Sequence, residues 1–297
     1  TEEDDVNPPE IVVGVDGSPA SRAAVTWAAV RAARQHMPLL VAHVYDWRKP
    51  GARMAVGGAY AAAAREHAEA TVTAAIADAK AAAPKVQVRG EAILGHPGPA
   101  LIGLSAEAGL MVVGSRGHGG FASLLLGSVS QQVATHSIAP VVVVRGRPDA
   151  SAGPIVVGVD GSPAASHALS LAFAEATAHD RGVVAIRAYT PAQPPWGAGI
   201  EPYVEDPEER HATELKVLIE DVAPWRDKHP DVHVECVAAS GHTAEVLIGV
   251  SATASLVVVG TRGHGGFAGL LLGSVSQQLL HHAECPVLIA HAGVVPA

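Results

Sequence analysis

The chain has 297 residues, of which 48% are hydrophobic and 4% aromatic, and its formal net charge is −9. This acidic balance argues against a protein that binds nucleic acid, because contacts to a phosphate backbone require a basic face. No stretch approaches about 18 consecutive apolar residues, and both cysteines lie in the second half, so neither a membrane protein nor a disulfide framework is expected. We therefore expect a cytoplasmic protein without nucleic-acid or membrane partners.

Strands and helices alternate along the predicted chain, and their order repeats in the second half. After an acidic extension at residues 1–9, a short apolar strand ends in Asp-Gly-Ser-Pro, where Ser18 and Pro19 provide the N-cap and the first residue of a helix. The sequence VVGVDGSPA at residues 12–20 returns at 156–164, so the same strand and helix are predicted there. The predicted strands are near 11–15, 39–44, 86–93, 110–114 and 141–144, then near 155–159, 183–188, 232–239, 256–260 and 286–290. The predicted helices include 19–35, 61–83, 163–179 and 205–228, with irregular segments at 45–60 and 189–204.

This alternation indicates the fold class. Strands joined by helical crossovers form a parallel sheet with helices on both faces. We therefore predict an α/β fold with two tandem, doubly wound, Rossmann-like domains, each a five-stranded parallel sheet. The domains are placed at 10–147 and 154–293, and glycine, proline, aspartate and serine cluster in a linker near 146–153. If each sheet winds outward in both directions from its first strand, the first and fourth strands are neighbours.

A nearly identical glycine-rich sequence occurs once in each half, at residues 112–132 and 258–278. Each copy runs from a strand through a glycine loop into a helix, with the spacing G-x2-G-x9-G-[ST]. Glycine permits positive φ and lets backbone amides approach an anion without a Cβ in the way. Ser128 and Ser274 stand where an N-cap is expected, and a helix N-terminus attracts phosphate. The repeat therefore predicts two phosphate-binding sites.

An aspartate in each half is expected beside its glycine loop. Asp16 and Asp160 directly follow the first strand of their half, and open α/β sheets bind ligands beyond the carboxyl ends of their strands. The loop is not a Walker A motif, because no Gly-Lys-Ser/Thr follows the glycines, and NAD is a weak alternative because the dinucleotide spacing is absent. A plainer alternative stays open, in which the glycines only form tight turns and the serines only cap helices.

The glycine pattern after a strand, together with an upstream strand-end aspartate, resembles that of the universal stress protein family, specifically its ATP-binding branch. The resemblance covers nearly the whole chain as two tandem domains. It implies that the aspartates contact adenosine, that the loops and their serines hold ribose and phosphates, and that the backbone of Val44 or Ala188 meets adenine. His43 precedes the first of these positions and Arg187 the second, which leaves open unequal affinities. The nucleotide-binding residues implied are Asp16, Val44, Gly114, Gly117, Gly127 and Ser128, then Asp160, Ala188, Gly260, Gly263, Gly273 and Ser274.

The resemblance implies a nucleotide-dependent regulator in stress or growth arrest, with ATP and Mg²⁺ as cofactors and an unknown protein partner. No nucleophile, base and orienting group can be assembled from spacing alone, so no catalytic residue is expected. At most slow ATP hydrolysis is expected, with Mg²⁺ supplying charge. Two alternatives stay open: an enzyme with genuine ATPase turnover, and an adaptor module that holds no nucleotide. The apolar last strands are expected to pair within one chain as a pseudo-dimer, and a further homodimer stays open.

Several other side chains are secondary candidates. His96 and His242 follow the third strand of each half and are expected at the carboxyl edge, most simply facing solvent. The remaining histidines do not predict a metal site. Both cysteines are expected to be inert small hydrophobes. Candidate contacts to a nucleotide from loop segments are His118, His264, Trp47 and Trp196.

Overall fold

A computed structural model describes residues 9–46, 57–117, 125–146, 152–190, 206–263 and 271–291, and the side chains of 57–60 are outside that description. The first half contains β1 (Glu10–Val15), α1 (Pro19–Gln35), β2 (Leu39–Tyr45), α2 (Gly57–Ala82), β3 (Val88–Leu94), α3 (Pro97–Leu104), β4 (Ala108–Gly114), α4 (Ser128–His136) and β5 (Val141–Val144). The second half contains β6 (Ile155–Gly158), α5 (Pro163–His179), β7 (Val183–Tyr189), α6 (Pro207–Lys228), β8 (Val234–Ser240), α7 (Thr243–Ser251), β9 (Leu256–Gly260), α8 (Ser274–His282) and β10 (Val287–Ala290).

Within each half, the five strands pair in parallel. The strand order is β3-β2-β1-β4-β5 in the first half and β10-β9-β6-β7-β8 in the second. Val13 of β1 pairs with Val41 of β2 on one side and with Val112 of β4 on the other. The first and fourth strands of each half are therefore neighbours, and the predicted doubly wound α/β fold is confirmed. The strand order proceeds outward in opposite directions from these two strands, and open α/β sheets generally bind ligands at such a switch point.

Apolar strands and small helical side chains form the core. All four residues of β5 are buried, as expected for a strand covered on both faces. On α1, Ala24, Ala28 and Ala29 have no exposed surface, so the helix lies close against its sheet. Two compact units divide between Arg145 and Gly146.

Some element boundaries differ from the prediction. α2 begins at Gly57, four residues before the predicted start at 61, and β3 begins at Val88 instead of 86. α6 begins at Pro207, where Asp206 caps it by accepting the N–H of Glu208 at 2.9 Å.

Candidate functional site

The strand-end aspartates sit in matching turns. Asp16 Oδ1 accepts the backbone N–H of Ser18 at 3.0 Å, and Asp160 Oδ1 accepts that of Ser162 at 3.0 Å. The glycine inside each turn has a φ of 83°, a region in which side chains with a Cβ are strained. This conformational demand of the Asp-Gly pair was missed by the sequence analysis, although Asp-Gly is a recognised turn signal.

The helix that follows each aspartate is capped as predicted. Ser18 Oγ accepts the N–H of Ser21 at 3.2 Å, and Ser162 Oγ accepts the N–H of Ala165 at 3.2 Å. The Ser18 hydroxyl also donates to the carbonyl oxygen of Arg116 at 3.4 Å. The aspartate turn, the start of α1 and the glycine loop are therefore linked to one another in the first half.

The first glycine of each loop is required by close packing. A Cβ at Gly114 would lie 2.6 Å from the carbonyl carbon and oxygen of Ala20, and one at Gly260 would lie 2.9 Å from the carbonyl carbon of Ala164. Among the described residues, positive φ occurs at Gly17, Gly146, Gly161, Gly241 and two non-glycine helix ends, not at the loop glycines. The expectation that the loop glycines turn through positive φ is therefore wrong for those described, and the reason for glycine there is space.

The second glycine of each loop lies against the aspartate. A Cβ at Gly117 would overlap Oδ2 of Asp16, and a Cβ at Gly263 would overlap Oδ2 of Asp160. Each half thus brings its strand-end carboxylate to the backbone of its own glycine loop. Arg116 precedes Gly117 and is exposed, so a positive side chain lies beside the carboxylate turn.

The helices after the loops begin differently from the prediction. The N-caps of α4 and α8 are Gly127 and Gly273, each with an extended backbone and no side-chain capping hydrogen bond. Ser128 and Ser274 are the first helical residues and are exposed, so their prediction as N-caps is wrong. Each N-cap glycine donates its N–H across the loop at 2.7 Å, to Ser115 O or Thr261 O, and this bond shifts the cap one residue earlier.

This arrangement leaves the first turn of each helix without a side-chain cap. The early N–H groups of a helix have no partner inside it, and they carry the positive end of the helix dipole. Further along, the Ser130 hydroxyl donates to Gly114 O at 2.6 Å, and the Ser276 hydroxyl donates to Gly260 O at 2.8 Å. These bonds join each helix to the end of the preceding strand, and so they position the backbone N–H groups of its first turn.

The ends of β2 and β7 carry the other implied nucleotide contacts. Val44 is 7% exposed, and Ala188 occupies the same place in β7, one strand away from the aspartate of its half. Beside Val44, the Nδ1–H of His43 donates to the carbonyl oxygen of Val15 at 2.7 Å. The imidazole thereby stays at the end of β1.

Arg187 replaces His43 in the second half and belongs to a charged network. Its Nε lies 2.6 Å from Glu214 Oε2, and its Nη1 lies 3.6 Å from Asp221 Oδ2. Arg210 Nη2 lies 2.8 Å from Glu214 Oε1 and stacks its guanidinium over Tyr189 at 5.9 Å. The arginine is apparent in the sequence, but its partners are not, because they lie more than twenty residues later on α6.

His96 has a carboxylate partner at the carboxyl edge of the first half. Its Nδ1 lies 3.3 Å from Asp46 Oδ2, and the side chains are 72% and 9% exposed respectively. His242, its counterpart, is exposed. The expectation that these histidines face solvent is therefore confirmed, whereas the buried carboxylate beside His96 was missed.

Those secondary candidates that lie among the described residues form no further cluster of functional side chains. Cys285 is fully buried, and burial raises the pKa of the Cys236 thiol. Within the described ranges, no group of three metal-ligating side chains occurs, and no helix is long and apolar enough to cross a membrane. A cavity of about 630 Å³ lies at the amino end of β8, lined partly by Arg226 and His233, on the edge opposite to Asp160. The loop candidates His118, His264, Trp47 and Trp196 lie outside the described residues.

Comparison with known proteins gives a consistent result in sequence and structure. A model of the universal stress protein family matches residues 9–145 and again 152–291. Universal stress protein Rv2005c of Mycobacterium tuberculosis is 36% identical over 301 residues, which cover 94% of this chain and 96% of that protein. Universal stress protein Rv2623 of the same organism is 33% identical over 302 residues, covering 94% and 95%. The crystal structure of a universal stress protein from Archaeoglobus fulgidus has a TM-score of 0.71 at 20% identity, covering 96% of this chain and 98% of that one, and it shows the shared fold.

Proposed function

We propose that this chain, which belongs to the universal stress protein family, binds one adenine nucleotide in each half and acts as a nucleotide-dependent regulator. The observation that carries the proposal is the contact of a strand-end carboxylate with a glycine loop beside a helix start without a side-chain cap. The contact occurs twice, as Asp16 with Gly117 and as Asp160 with Gly263.

The phosphate end fits the start of α4. A helix N-terminus carries roughly half a positive charge and presents backbone N–H groups to an anion. Gly127 places no side chain in front of these amides, and the exposed Arg116 adds a full positive charge nearby. The chain can therefore hold phosphate locally in spite of its net charge of −9. The same features recur at Gly273 and Arg262 before α8.

The sugar end fits the aspartate. An ionised carboxylate only accepts hydrogen bonds, so it suits ribose hydroxyls and repels phosphate oxygens. Asp16 is held in place by the N–H of Ser18 and by its contact with Gly117, so an accepting oxygen is fixed beside the loop. We place ribose at this carboxylate and phosphates at the start of α4.

Mg²⁺ fits as an ion that arrives with the nucleotide. It keeps several waters and binds through few carboxylates together with substrate phosphates. The described residues contain no cluster of three metal ligands, so a dedicated protein cage is not part of the proposal. When bound, Mg²⁺ neutralises phosphate charge. Because the sequence offers no combination of nucleophile, base and orienting group, we propose at most slow hydrolysis.

The test is the nucleotide content of the natively purified protein, measured by acid release and chromatography. Two adenine nucleotides per chain are expected, and one per chain would indicate unequal halves, with Arg187 as the first residue to examine. No nucleotide, together with no heat of binding on adding ATP and Mg²⁺, would contradict the proposal and leave an adaptor module. Steady-state hydrolysis that is lost on Asp16→Ala with Asp160→Ala would instead favour the ATPase alternative.

Substitution of the second loop glycine tests the geometry. Gly117→Ala and Gly263→Ala push a Cβ into the neighbouring carboxylate, so each is expected to weaken ATP binding in its own half by about tenfold or more, equivalent to about 1.4 kcal/mol. Thermal unfolding should stay cooperative. Gly103→Ala is the matched control, because a Cβ there has no neighbour within 4 Å. Unchanged ATP binding in both loop variants would show that the loops do not hold the phosphates.

A further inference from the structure

The two halves differ at the carboxyl ends of β2 and β3 and of their counterparts β7 and β8. In the first half, the buried carboxylate of Asp46 follows β2 and lies 3.3 Å from Nδ1 of His96, which follows β3. In the second half, Thr190 follows β7 at the same place, and it is exposed. The equivalence is fixed by one repeated hydrogen bond of 2.9 Å, from Gly95 N–H to Tyr45 O and from Gly241 N–H to Tyr189 O.

The Asp46 carboxylate faces one particular nitrogen of His96, Nδ1. A neutral imidazole has one donor and one acceptor nitrogen, and a carboxylate against Nδ1 favours the proton there. Asp46 is 9% exposed and its Oδ2 lies 3.3 Å from Nδ1, so an accepting oxygen faces that nitrogen. Nε2 is then a hydrogen-bond acceptor on a ring that is 72% exposed.

The position of His96 relative to the candidate site follows from strand order. The first sheet runs β3-β2-β1-β4, with phosphates proposed beyond β4 and ribose at Asp16 beyond β1. The base therefore extends along the carboxyl edge over β2 toward β3. Neighbouring strands are about 4.8 Å apart, so the end of β3 is about 10 Å from the end of β1. This is the edge at which His96 begins α3 as its N-cap residue.

We propose that His96 Nε2 accepts a hydrogen bond from the 6-amino group of the purine bound in the first half, and so selects adenine over 6-oxopurines. A 6-oxopurine presents an oxygen acceptor at this position, so two lone pairs would face each other and a hydrogen bond would be lost. His242 has the same place in the second half, but Thr190 supplies no carboxylate to fix its tautomer. The first half is therefore selective and the second half is less so. This inference rests on the proposed nucleotide site.

The test is calorimetric binding of ATP and of inosine triphosphate, each with Mg²⁺, to the full chain. Gly263→Ala weakens the second half and isolates the first, whereas Gly117→Ala isolates the second. In the first-half background, His96→Ala is expected to lower the ratio of ATP affinity to inosine triphosphate affinity by about five- to tenfold. In the second-half background, His242→Ala should leave that ratio unchanged. Both histidines are exposed, so neither replacement removes core packing.

A variant that is expected to gain selectivity for adenine provides a complementary test. Thr190→Asp places a carboxylate beside His242 and is expected to raise the same affinity ratio in the second half. The inference is overturned if His96→Ala leaves the ratio unchanged, or if it weakens both nucleotides equally. If the unmodified chain binds ATP while either of these results is found, the proposed function survives and only the role of His96 fails. If the unmodified chain binds neither nucleotide, both fail together.

Discussion

The aspartate turns and glycine loops of the two candidate sites match closely, whereas the ends of β2 and β7 beside them differ. The Asp16 and Asp160 turns contain the same hydrogen bond of 3.0 Å, and the N-cap glycines of α4 and α8 each make a bond of 2.7 Å. All of these bonds involve backbone atoms, and two loop glycines in each half have no room for a Cβ. A site built from backbone restricts its sequence strongly, which explains a near-identical loop in two halves that otherwise differ.

The contacts at the ends of β2 and β7 depend on side chains, and they differ between the two halves. His43 donates to a strand carbonyl, whereas Arg187 at the same place joins Glu214 and Asp221 on α6. On α2, the position equivalent to Glu214 is Ala68, which is fully buried. The first half therefore has a buried alanine on α2 where the second half has Glu214 of α6 paired with Arg187. This difference shows that the glycine loop can stay nearly identical in two halves while the side-chain contacts at the ends of β2 and β7 differ.

The largest expected effect comes from disrupting the ion pairs that Arg187 and Arg210 form with Glu214. Glu214→Ala removes the carboxylate that both Arg187 and Arg210 contact, leaving two partly buried cations, and it is expected to lower the free energy of unfolding by about 2–3 kcal/mol. Denaturant unfolding measures this. The matched variant combines Glu214→Ala with Arg187→His and Arg210→Ala, which imitates the first half and should lose less stability. An unchanged unfolding midpoint for Glu214→Ala alone would show that water already compensates these charges.

A smaller effect tests whether the aspartate turns are equivalent. Ser18→Ala and Ser162→Ala each remove an N-cap hydrogen bond and should lower the free energy of unfolding by about 1 kcal/mol. Ser128→Ala and Ser274→Ala serve as controls, because these serines are first helical residues and not caps, and a change below about 0.5 kcal/mol is expected. Equal losses in all four variants would restore the original N-cap assignment.

The smallest expected effect is a gain of stability at two matched helical glycines. A Cβ at Gly103 of α3 or at Gly249 of α7 meets no atom within 4 Å. Alanine lowers the backbone entropy of the unfolded chain, so each Gly→Ala variant should raise the free energy of unfolding by about 0.5 kcal/mol. Thermal unfolding of the two single variants and of the double variant measures this, and additive gains are expected. A loss in either half would indicate that its helix packs more tightly than its counterpart.

Much of the fold was predictable because the signals are local. Apolar β-branched runs predicted the strands, and Ser18 with Pro19 correctly marked the start of α1. The assignment of Ser128 as an N-cap failed because a backbone bond from Gly127 across the loop sets the helix start one residue earlier. The reason for Gly117 was also misjudged, since its neighbour in space is Asp16, which lies about a hundred residues earlier in the chain. The nucleotide contacts of these residues stay predictions.

The sequence alone determined the duplicated α/β architecture and the identity of the glycine loop, because repeats, periodicity and turn residues are local properties. The neighbouring position of the first and fourth strands was only conditional until the sheet order was known. Only the tertiary structure decided which side chains meet at the carboxyl edge. The contact of Asp46 with His96 and that of Glu214 with Arg187 join residues from different elements. Their proximity depends on how parallel strands and crossover helices bring distant segments together, and no local pattern in the chain encodes a distance of that kind.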